Sequence, residues 1–368
     1  MTDAFLLGRA LLQFHSKDED LRRELSAVAR TPDGHLWVGS DEYLTLERLT
    51  PLGDGIYGDH KKFHLKDYIV LADRDSEADI EGLDYADGYL WVVGSHSLRR
   101  RKIKGKKTQK DIERLTKIKR DPNRYLLARV PVLNGELVES CPRSDSDDRT
   151  LSAARLGQIG DPHPLMEALS RDEHLGPFLQ MGLPSKDNGF DIEGLAVRGN
   201  RVFIGLRGPV LRGWALLLEL RVETSAPGTL SLAAPDDGVL YRKHFLDLNG
   251  LGIRELCLHG KDLIILAGPT MTLTGAMQIF LLENAIEHER DTLSDLASGK
   301  LKVLFDLPFT MGSDNAEGLT LFPCLGYDTS LMVVYDSPSE VRLAGKKSVF
   351  ADIFRLPGKN SVDRQRNM

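Results

Sequence analysis

The sequence repeats one short pattern five times: a glutamate that begins an apolar strand, then a turn and a second apolar strand. The five glutamates are Glu24, Glu81, Glu193, Glu255 and Glu317. Turns such as Pro32-Asp33-Gly34 separate the two strands of a copy, and Asp-Gly turns between β-rich segments predict hairpins. A third apolar segment follows each hairpin, and a more polar fourth segment follows three of them. The repeat therefore predicts an all-β chain.

Four antiparallel strands per unit, with the innermost strand the most apolar, are typical of a β-propeller blade. We expect one domain over residues 1–368, a five-bladed β-propeller with four-stranded antiparallel blades. The N-terminal segment Ala10–His15 would supply the outer strand of the last blade and close the ring, which leaves no edge unprotected. The interval from Glu81 to Glu193 is about twice the others. An insertion at about 98–180, after blade 2, explains it, and a sixth blade is the alternative.

The predicted insertion has two parts, and neither 98–120 nor 144–176 has the pattern of a strand. Residues 98–120 are rich in arginine and lysine and have apolar residues at near-helical spacing. Residues 151–179 have helix-like apolar spacing that Asp161-Pro162-His163-Pro164 interrupts. We therefore expect a basic hairpin or helix followed by a helical cap.

The basic stretch Arg99–Lys110 could contact nucleic acid or an acidic protein. It has no aromatic residue on which a base would stack, which weakens that interpretation. A solvated insertion, or a lid over an acidic mouth, is the favoured alternative.

Composition limits the class of protein without naming a partner. Hydrophobic residues make up 41% and charged residues 28% of the chain, with a net charge of −6, as in ordinary globular proteins. The three cysteines have no Cys-x-x-Cys spacing, which favours a reducing, cytoplasmic location. No apolar run is long enough for a membrane helix, so no membrane partner is expected.

The first strand of a propeller blade lines the central channel, so glutamates at strand starts would converge at one mouth. Antiparallel pairing brings the ends of the second strands to the same mouth. Alternation along a strand adds the residue two positions before each glutamate. Besides the five glutamates, the predicted ring and mouth residues are Arg22, Arg23, Asp41, Asp79, His96, Asp191, Arg207, Arg254, Asn315 and Asp336.

Carboxylates packed at one mouth repel each other, and burial raises the cost, so something must compensate them. One hypothesis is a cation, Ca²⁺ before Mg²⁺, because Ca²⁺ takes six to eight oxygen ligands in loose geometry. Its predicted ligands are Glu81, Glu193, Glu317, Asp79 and Asp191. Pairing with arginines, for which Arg22, Arg23, Arg207 and Arg254 are candidates, is the second hypothesis. Protonated or water-bridged carboxylates are the third.

The five glutamates also divide into two groups. Glu81, Glu193 and Glu317 are followed by Gly-Leu and preceded, two residues earlier, by Asp or Asn. Glu24 and Glu255 lack the glycine and follow an arginine directly. If the ring is functional, the first three are expected on its working side and the other two in the frame.

Two further motifs could take part in chemistry. Arg207 lies in the glycine-rich run Gly205–Gly213, where backbone could approach an anion that the guanidinium grips; its alternative is a tight loop in which Arg207 pairs with a glutamate. His96 could act as a general base or a ligand, or be purely structural. The chain lacks the nucleophile elbow, phosphate loop, zincin and dinucleotide motifs. No organic cofactor is therefore predicted.

The run Phe190–Val197, continued by Gly205–Ala215, resembles the signature of a bacterial family, domain of unknown function 3616. Asp79–Leu83 with Gly94–Ser97 is similar to the same signature, and the likeness covers most of the chain. Membership in this family implies no particular activity.

More distantly, the Glu-Gly-Leu strand starts are similar to those of phytase-like esterase propellers and of other propellers with a cation in the channel. A five-bladed frame with acidic channel residues also resembles calcium-activated nucleotidases. Only the glutamate positions carry over, because no phosphate-binding or nucleophile motif of those families matches.

The leading hypothesis is a metal-dependent hydrolase of a small anionic, phosphate-bearing ester. In that hypothesis the ring holds Ca²⁺ or Mg²⁺, Arg207 binds the anion and His96 assists proton transfer. The alternative is a non-catalytic interaction scaffold whose glutamate and arginine ring is structural.

Overall fold

Strands dominate the computed structural model, which describes residues 5–15, 20–74, 76–144, 147–234 and 238–357. The ends of the predicted domain, 1–4 and 358–368, lie outside these residues. Within the described ranges the α-helices are α1 (Thr108–Leu115), α2 (Pro164–Ser170) and α3 (Gly176–Met181). The all-β prediction is confirmed. No helix among the described residues has the length and apolar character needed to cross a membrane.

Most strands belong to sets of four that pair antiparallel in the order first, second, third, fourth. The N-terminal strand is β1 (Leu6–Gln13). Set 1 contains β2 (Ala27–Arg30), β3 (Leu36–Gly39), β4 (Thr45–Gly53) and β5 (Ile56–His64). Set 2 contains β6 (Ile80–Ala86), β7 (Tyr89–Gly94), β10 (Leu127–Leu133) and β14 (Ala154–Leu156). Set 3 contains β15 (Asp191–Arg198), β16 (Arg201–Gly208), β17 (Trp214–Ala226) and β19 (Tyr241–Asp247).

The last two sets follow the same order. Set 4 contains β20 (Gly252–His259), β21 (Asp262–Gly268), β22 (Gln278–Leu282) and β24 (Leu301–Asp306). Set 5 contains β25 (Asn315–Cys324), β26 (Tyr327–Asp336), β28 (Ser348–Arg355) and, as its fourth strand, β1. The remaining strands are β8 (Arg99–Arg100), β9 (Ile118–Lys119), β11 (Glu136–Leu137), β12 (Ser140–Ser144), β13 (Asp147–Ser152), β18 (Thr229–Leu232), β23 (Thr292–Ser294) and β27 (Leu343–Ala344).

The first strands of the sets lie against one another in a closed order. β2 contacts β6 and β25, β15 contacts β6 and β20, and β20 contacts β25. The two ends of the chain meet at β1, which pairs antiparallel with β28 of set 5 and parallel with β5 of set 1. The first strands therefore surround a common axis, and the N-terminal strand links set 5 to set 1.

The hydrophobic core is divided into clusters that each lie between two neighbouring sets. Trp37 of set 1, for example, is fully buried and belongs to a cluster that also contains Ile80 and Leu83 of set 2. Phe203 of set 3 is buried with Leu263 of set 4. Burying one such side chain contributes about 1.5–3 kcal/mol. Packing between sets, rather than one central core, therefore holds the first strands around their axis.

The segment between β7 and β15 differs from the single insertion expected at about 98–180. Strands β10 and β14 lie within it and complete set 2, so the expectation of no strand in 144–176 is wrong. β14 has only three residues, too few to show an alternating pattern, and it is identified by its pairing with β10. The basic part forms a hairpin in which β8 and β9 pair around α1, residues 99–119; we call it the basic hairpin. Helices α2 and α3 form the expected helical part.

Candidate functional site

A β-bulge leaves one extra residue near the start of four of the first strands. The ladder skips Glu81 in β6 and Glu193 in β15. It skips Arg254 in β20 and Glu317 in β25 in the same way. A bulge re-aims the side chain of the unpaired residue. The four residues thus hold equivalent positions at one end of the central axis.

In set 4 the unpaired bulge residue is Arg254, whereas the sequence pattern had placed Glu255 there. Glu255 is paired with Leu266, at the position that glycines hold in sets 2, 3 and 5. Its buried carboxyl accepts hydrogen bonds from the backbone N–H groups of Leu195, at 2.8 Å, and Leu256, at 2.9 Å. Glu255 therefore belongs to the frame.

In set 1 the equivalent position is held by Ser26 rather than Glu24. Ala29 pairs with Trp37 as Asp84 pairs with Trp91 in set 2, and counting back along both strands aligns Ser26 with Glu81. The Ser26 hydroxyl donates to the carbonyl of Ile80 at 2.6 Å. Glu24 precedes β2, where it forms an isolated bridge with Asp336. We call Ser26, Glu81, Glu193, Arg254 and Glu317 the bulge ring.

Two buried arginines cross-link the carboxylates of the bulge ring. Arg207 Nη1 lies 2.6 Å from Glu193 Oε1, and Arg254 Nε lies 2.8 Å from Glu193 Oε2. Arg207 also pairs with Asp191, and Arg254 pairs with Glu317. Three carboxylates and two guanidinium groups thus form one continuous chain of ion pairs. Attraction between them offsets much of the repulsion that the ring would otherwise carry.

Asp79 has an arginine partner that the sequence pattern did not reveal. Arg124 Nη2 lies 2.6 Å from Asp79 Oδ1, and its Nη1 donates to the Ser97 hydroxyl at 2.9 Å. Arg124 ends a short 3-10 helix, Pro122–Arg124, just before β10. No motif marks it in the sequence, because its role depends on the position of a neighbouring segment.

Four of the five predicted metal ligands therefore lie against arginine side chains, and Glu81 is the exception. Among the described residues Glu81 forms neither an ion pair nor a hydrogen bond. Across all the residues that the structure describes, no group of three or more His, Cys, Asp or Glu side chains is arranged to hold a metal ion. A cation bound at Asp191, Glu193 or Glu317 would have a guanidinium group beside its ligands and would be repelled by it.

Four carboxyl groups that line the mouth, Glu81, Asp41, Asp191 and Glu317, have a pKa above its ordinary value; for Asp191 and Glu317 the effect of burial outweighs that of the paired arginine. Burial raises the pKa of Glu81 well above its ordinary value, and the charges of Asp79, Glu193, Asp191 and Asp41 raise it further. Burial also raises the pKa of Asp41 to about 7, with a further contribution from Asp79. Protonation is thus a second way in which this mouth limits its charge.

A cavity of about 860 Å³, the mouth cavity, lies between the bulge ring and the basic hairpin. Its acidic wall contains Glu81, Glu193, Glu317, Asp41, Asp79 and Asp336. Its basic wall contains Arg101, Lys102, Lys104 and Lys119 of the basic hairpin together with Lys186. The basic stretch thus faces the acidic mouth, which was one of its two favoured interpretations.

The basic hairpin is anchored at its base and carries uncommitted charge beyond it. Arg99 pairs with Glu77 at 2.9 Å and Asp121 at 2.6 Å, and Arg100 pairs with Asp187. Among the described residues, no carboxylate lies within ion-pair distance of four exposed cations of the basic wall. They are Arg101, Lys104, Lys119 and Lys186. Lys186 follows a buried serine in the 3-10 helix Ser185–Asp187 and had not been singled out in the sequence.

His96 does not line the mouth cavity, contrary to its predicted place. It lines a separate cavity of about 230 Å³ with Tyr125 and Phe178, beneath the helical part. Its Nδ1 lies 2.8 Å from the Gly94 carbonyl, which can only accept, so this hydrogen bond fixes the ring against its own strand. Burial lowers the pKa of His96 to about 4, so the imidazole is neutral.

Three other predicted mouth residues, Arg22, Arg23 and Asn315, do not line the mouth cavity. Arg22 and Arg23 pair with Asp20, at 2.8 and 3.0 Å, rather than with ring glutamates. Asn315 Nδ2 lies 3.4 Å from Asp336 Oδ2. The structure thus brings together Glu81, Glu193, Glu317, Asp79, Asp191, Arg207 and Arg254, joined by Asp41 and Asp336.

Comparisons with known proteins give one sequence family and several structures of low identity. A family model described as protein of unknown function (DUF3616) matches residues 24–352. Comparison with curated proteins gave no match. Virginiamycin B lyase from Staphylococcus aureus is 12% identical, with 96% of this chain and 77% of that chain covered and a TM-score of 0.32.

Two further solved structures are similar to a comparable degree. A putative oxidoreductase (glucose dehydrogenase) from Thermus thermophilus is 12% identical, with 94% of this chain and 100% of that chain covered and a TM-score of 0.38. The PQQ-bound aldose sugar dehydrogenase from Streptomyces coelicolor is 11% identical, with 95% and 99% covered and a TM-score of 0.34.

Proposed function

The chain belongs to the family described as protein of unknown function (DUF3616), and because that description names no reaction, we propose a function from the mouth cavity. We propose that the chain is a hydrolase that binds a small anionic, phosphate-bearing ester there. One observation carries the proposal: cations without an ion-pair partner among the described residues and Glu81, a carboxyl whose pKa burial raises, line the same cavity.

The frame of this proposal is a five-bladed β-propeller whose blades are the five sets. The closed order of the first strands and the pairing of β1 with β28 support it. In such a frame the bulge ring surrounds one end of the central channel. The mouth cavity, which Glu81, Glu193 and Glu317 of the bulge ring line, then lies at that end of the channel.

Binding of the anion falls to Lys186 and the tip of the basic hairpin. Arg207, the candidate from the sequence, uses both of its Nη atoms on Asp191 and Glu193. Lys186 is exposed, unpaired among the described residues and beside the acidic wall. Uncommitted cations along one wall raise the local concentration of an anionic substrate.

Proton transfer falls to Glu81, because His96 lies in another cavity. In hydrolysis of a phosphate monoester, the oxygen of water bonds to phosphorus and the bond from phosphorus to the ester oxygen breaks. The leaving oxygen takes the Glu81 proton and departs as the alcohol. The attacking water gives a proton back to the carboxylate, so ester and water become alcohol and phosphate. A raised pKa suits a carboxyl to this role.

A divalent cation, the leading compensating charge in the sequence hypothesis, fits these residues poorly. Asp79, Asp191, Glu193 and Glu317 each have a guanidinium partner. We therefore derive no catalytic step from Ca²⁺ or Mg²⁺, and the response of the melting temperature to these cations tests the metal hypothesis directly.

The test is hydrolysis of phosphate monoesters by the wild type and two variants. Glu81→Gln copies the shape of the protonated carboxyl and is expected to fold while kcat falls about 100-fold or more. Lys186→Gln is expected to raise KM with little change in stability. Lys300→Gln, at an exposed lysine outside the mouth cavity, is the matched control. Absence of both phosphate-ester binding and turnover in the wild type would contradict the proposal.

A non-catalytic scaffold is the second candidate, and the buried ion-pair chain favours it. In that case the ring only holds the sets together, and the exposed tip of the basic hairpin contacts an acidic partner or nucleic acid. Replacing Lys104, Lys106 and Lys107 by glutamine would then weaken such binding and reduce its dependence on salt. A cytoplasmic location is proposed because the three cysteines have no Cys-x-x-Cys spacing. Cys141, Cys257 and Cys324 are free thiols.

A further inference from the structure

A smaller cavity of about 260 Å³, the side pocket, adjoins the mouth cavity. The loop after β21 and the loop after β24 supply its outer wall. Five apolar side chains stand in that wall among threonines, glycines and other polar residues, and they are Met271, Leu273, Met277, Pro308 and Phe309. Its inner wall carries charges of both signs, with Lys186, Arg207 and Arg254 beside Asp314, Glu317 and Asp336. The side pocket therefore offers apolar surface directly beside cations.

Two of the apolar side chains of the side pocket are more than half exposed. Leu273 is 61% exposed and Phe309 is 51% exposed. They project from different loops, yet both line the same cavity. Exposed apolar side chains that converge on a concave surface indicate a place where the apolar part of a ligand binds. Apolar side chains scattered singly over a surface need no such explanation.

The side pocket and the mouth cavity belong to one continuous site. Lys186, Arg207, Glu317 and Asp336 line both. An anionic group held by Lys186 would thus place its substituent within reach of Phe309. One ligand can therefore occupy the two cavities together.

We infer that the ligand is an aromatic phosphate ester, whose phosphate lies in the mouth cavity and whose ring lies in the side pocket. This rests on the proposed function and narrows its substrate class. The volume is sufficient, because a cavity of about 150 Å³ already holds benzene. Phe309 offers a ring for stacking, Met271 and Met277 offer sulfur contacts to a ring, and the guanidinium groups favour an aromatic face.

Binding of two phosphonates tests the inference without hydrolysis, since the carbon–phosphorus bond does not break. Phenylphosphonate and methylphosphonate carry the same acidic group and differ in the ring. Calorimetry on the full chain is expected to give phenylphosphonate about tenfold higher affinity. Phe309→Ala is expected to reduce that ratio at least about threefold. Leu325→Ala, 74% exposed in the turn at the opposite end of β25, is expected to leave it unchanged.

The outcomes separate the two proposals. Equal affinity for the two phosphonates, or a ratio that Phe309→Ala leaves intact, would overturn the aromatic inference while the anion site stands. If neither phosphonate binds the wild type, the proposed function fails and the inference fails with it.

Discussion

Arg254 and Glu193 hold the same bulge position in neighbouring first strands, and Arg254 Nε lies 2.8 Å from Glu193 Oε2. An arginine in one copy of the repeat thus neutralises a glutamate in the copy before it. Because Arg254 also pairs with Glu317, this single arginine, at a position where three other copies have glutamate, bridges two carboxylates. The negative charge of Glu193 and Glu317 is thus compensated by an arginine of the same ring. This pairing affects stability, the response to cations and the dependence of stability on pH.

Glu193→Gln should be strongly destabilising, because it leaves Arg207 and Arg254 buried with much of their compensating charge removed. The expected loss in the free energy of unfolding is about 3–5 kcal/mol, measured by urea denaturation. Glu340→Gln removes the exposed partner of Arg23 and should cost less than about 1 kcal/mol. Similar losses of unfolding free energy in the two variants would show that the buried ion-pair chain contributes no more to stability than an exposed ion pair.

Ca²⁺, Mg²⁺ and EDTA should each move the melting temperature by less than about 1 °C, because arginines already pair with Asp191, Glu193 and Glu317 and burial raises the pKa of Glu81. A ligand that binds only the folded state stabilises it in proportion to its occupancy, so a thermal-shift series is a direct readout. Elemental analysis of the purified protein supplies the second measurement. Stoichiometric Ca²⁺, or a rise of several degrees on adding it, would restore the metal hypothesis.

Glu255→Gln should be tolerated, since burial raises the pKa of Glu255 well above its ordinary value and glutamine copies the protonated carboxyl. The amide oxygen can still accept from the N–H groups of Leu195 and Leu256. Glu255→Ala should cost more, about 1–3 kcal/mol for each N–H left unpaired in the interior. Chemical denaturation compares the two variants. If Glu255→Gln were as harmful as Glu193→Gln, Glu255 would have to carry charge in the ring.

Stability should fall as pH rises from about 4 to 7, in part through Asp41. Its pKa is about 7 in the folded chain and 3.8 ordinarily, so within that window the folded state binds more protons than the unfolded state. The contribution is complete below pH 4 and is lost as pH passes 7. Asp41→Asn should therefore flatten the decline of melting temperature between pH 5 and 8.

The comparison for Asp41 is Asp328→Asn, at an exposed residue of β26. This variant should follow the wild-type curve. Identical slopes for the wild type and Asp41→Asn would mean that Asp41 does not stay protonated in the folded chain.

The sequence was sufficient for features that depend on neighbouring residues. Apolar segments with period-two character and turns such as Ala86-Asp87-Gly88 identified the hairpin β6–β7 and its counterparts. The same pattern gave the all-β class. It missed β14, because a three-residue strand has no period to detect and is defined by its pairing with β10.

The membership of the ring needed the tertiary structure. The sequence pattern aligned Glu255 with the other glutamates, but the bulge in β20 places Arg254 at that position and Glu255 in the frame. A shift of one residue turns a side chain to the other face of a strand, and only the ladder with β21 fixes that shift.

Local sequence patterns specify a β-rich chain of repeated hairpins with acidic residues near the starts of its first strands. Which charges meet depends on how the sets pack, as with Arg254 beside Glu193 and Arg124 beside Asp79. The reason is physical: hairpins follow from local backbone preference and apolar spacing, whereas ion pairs between distant segments depend on distances that exist only after the sets have packed.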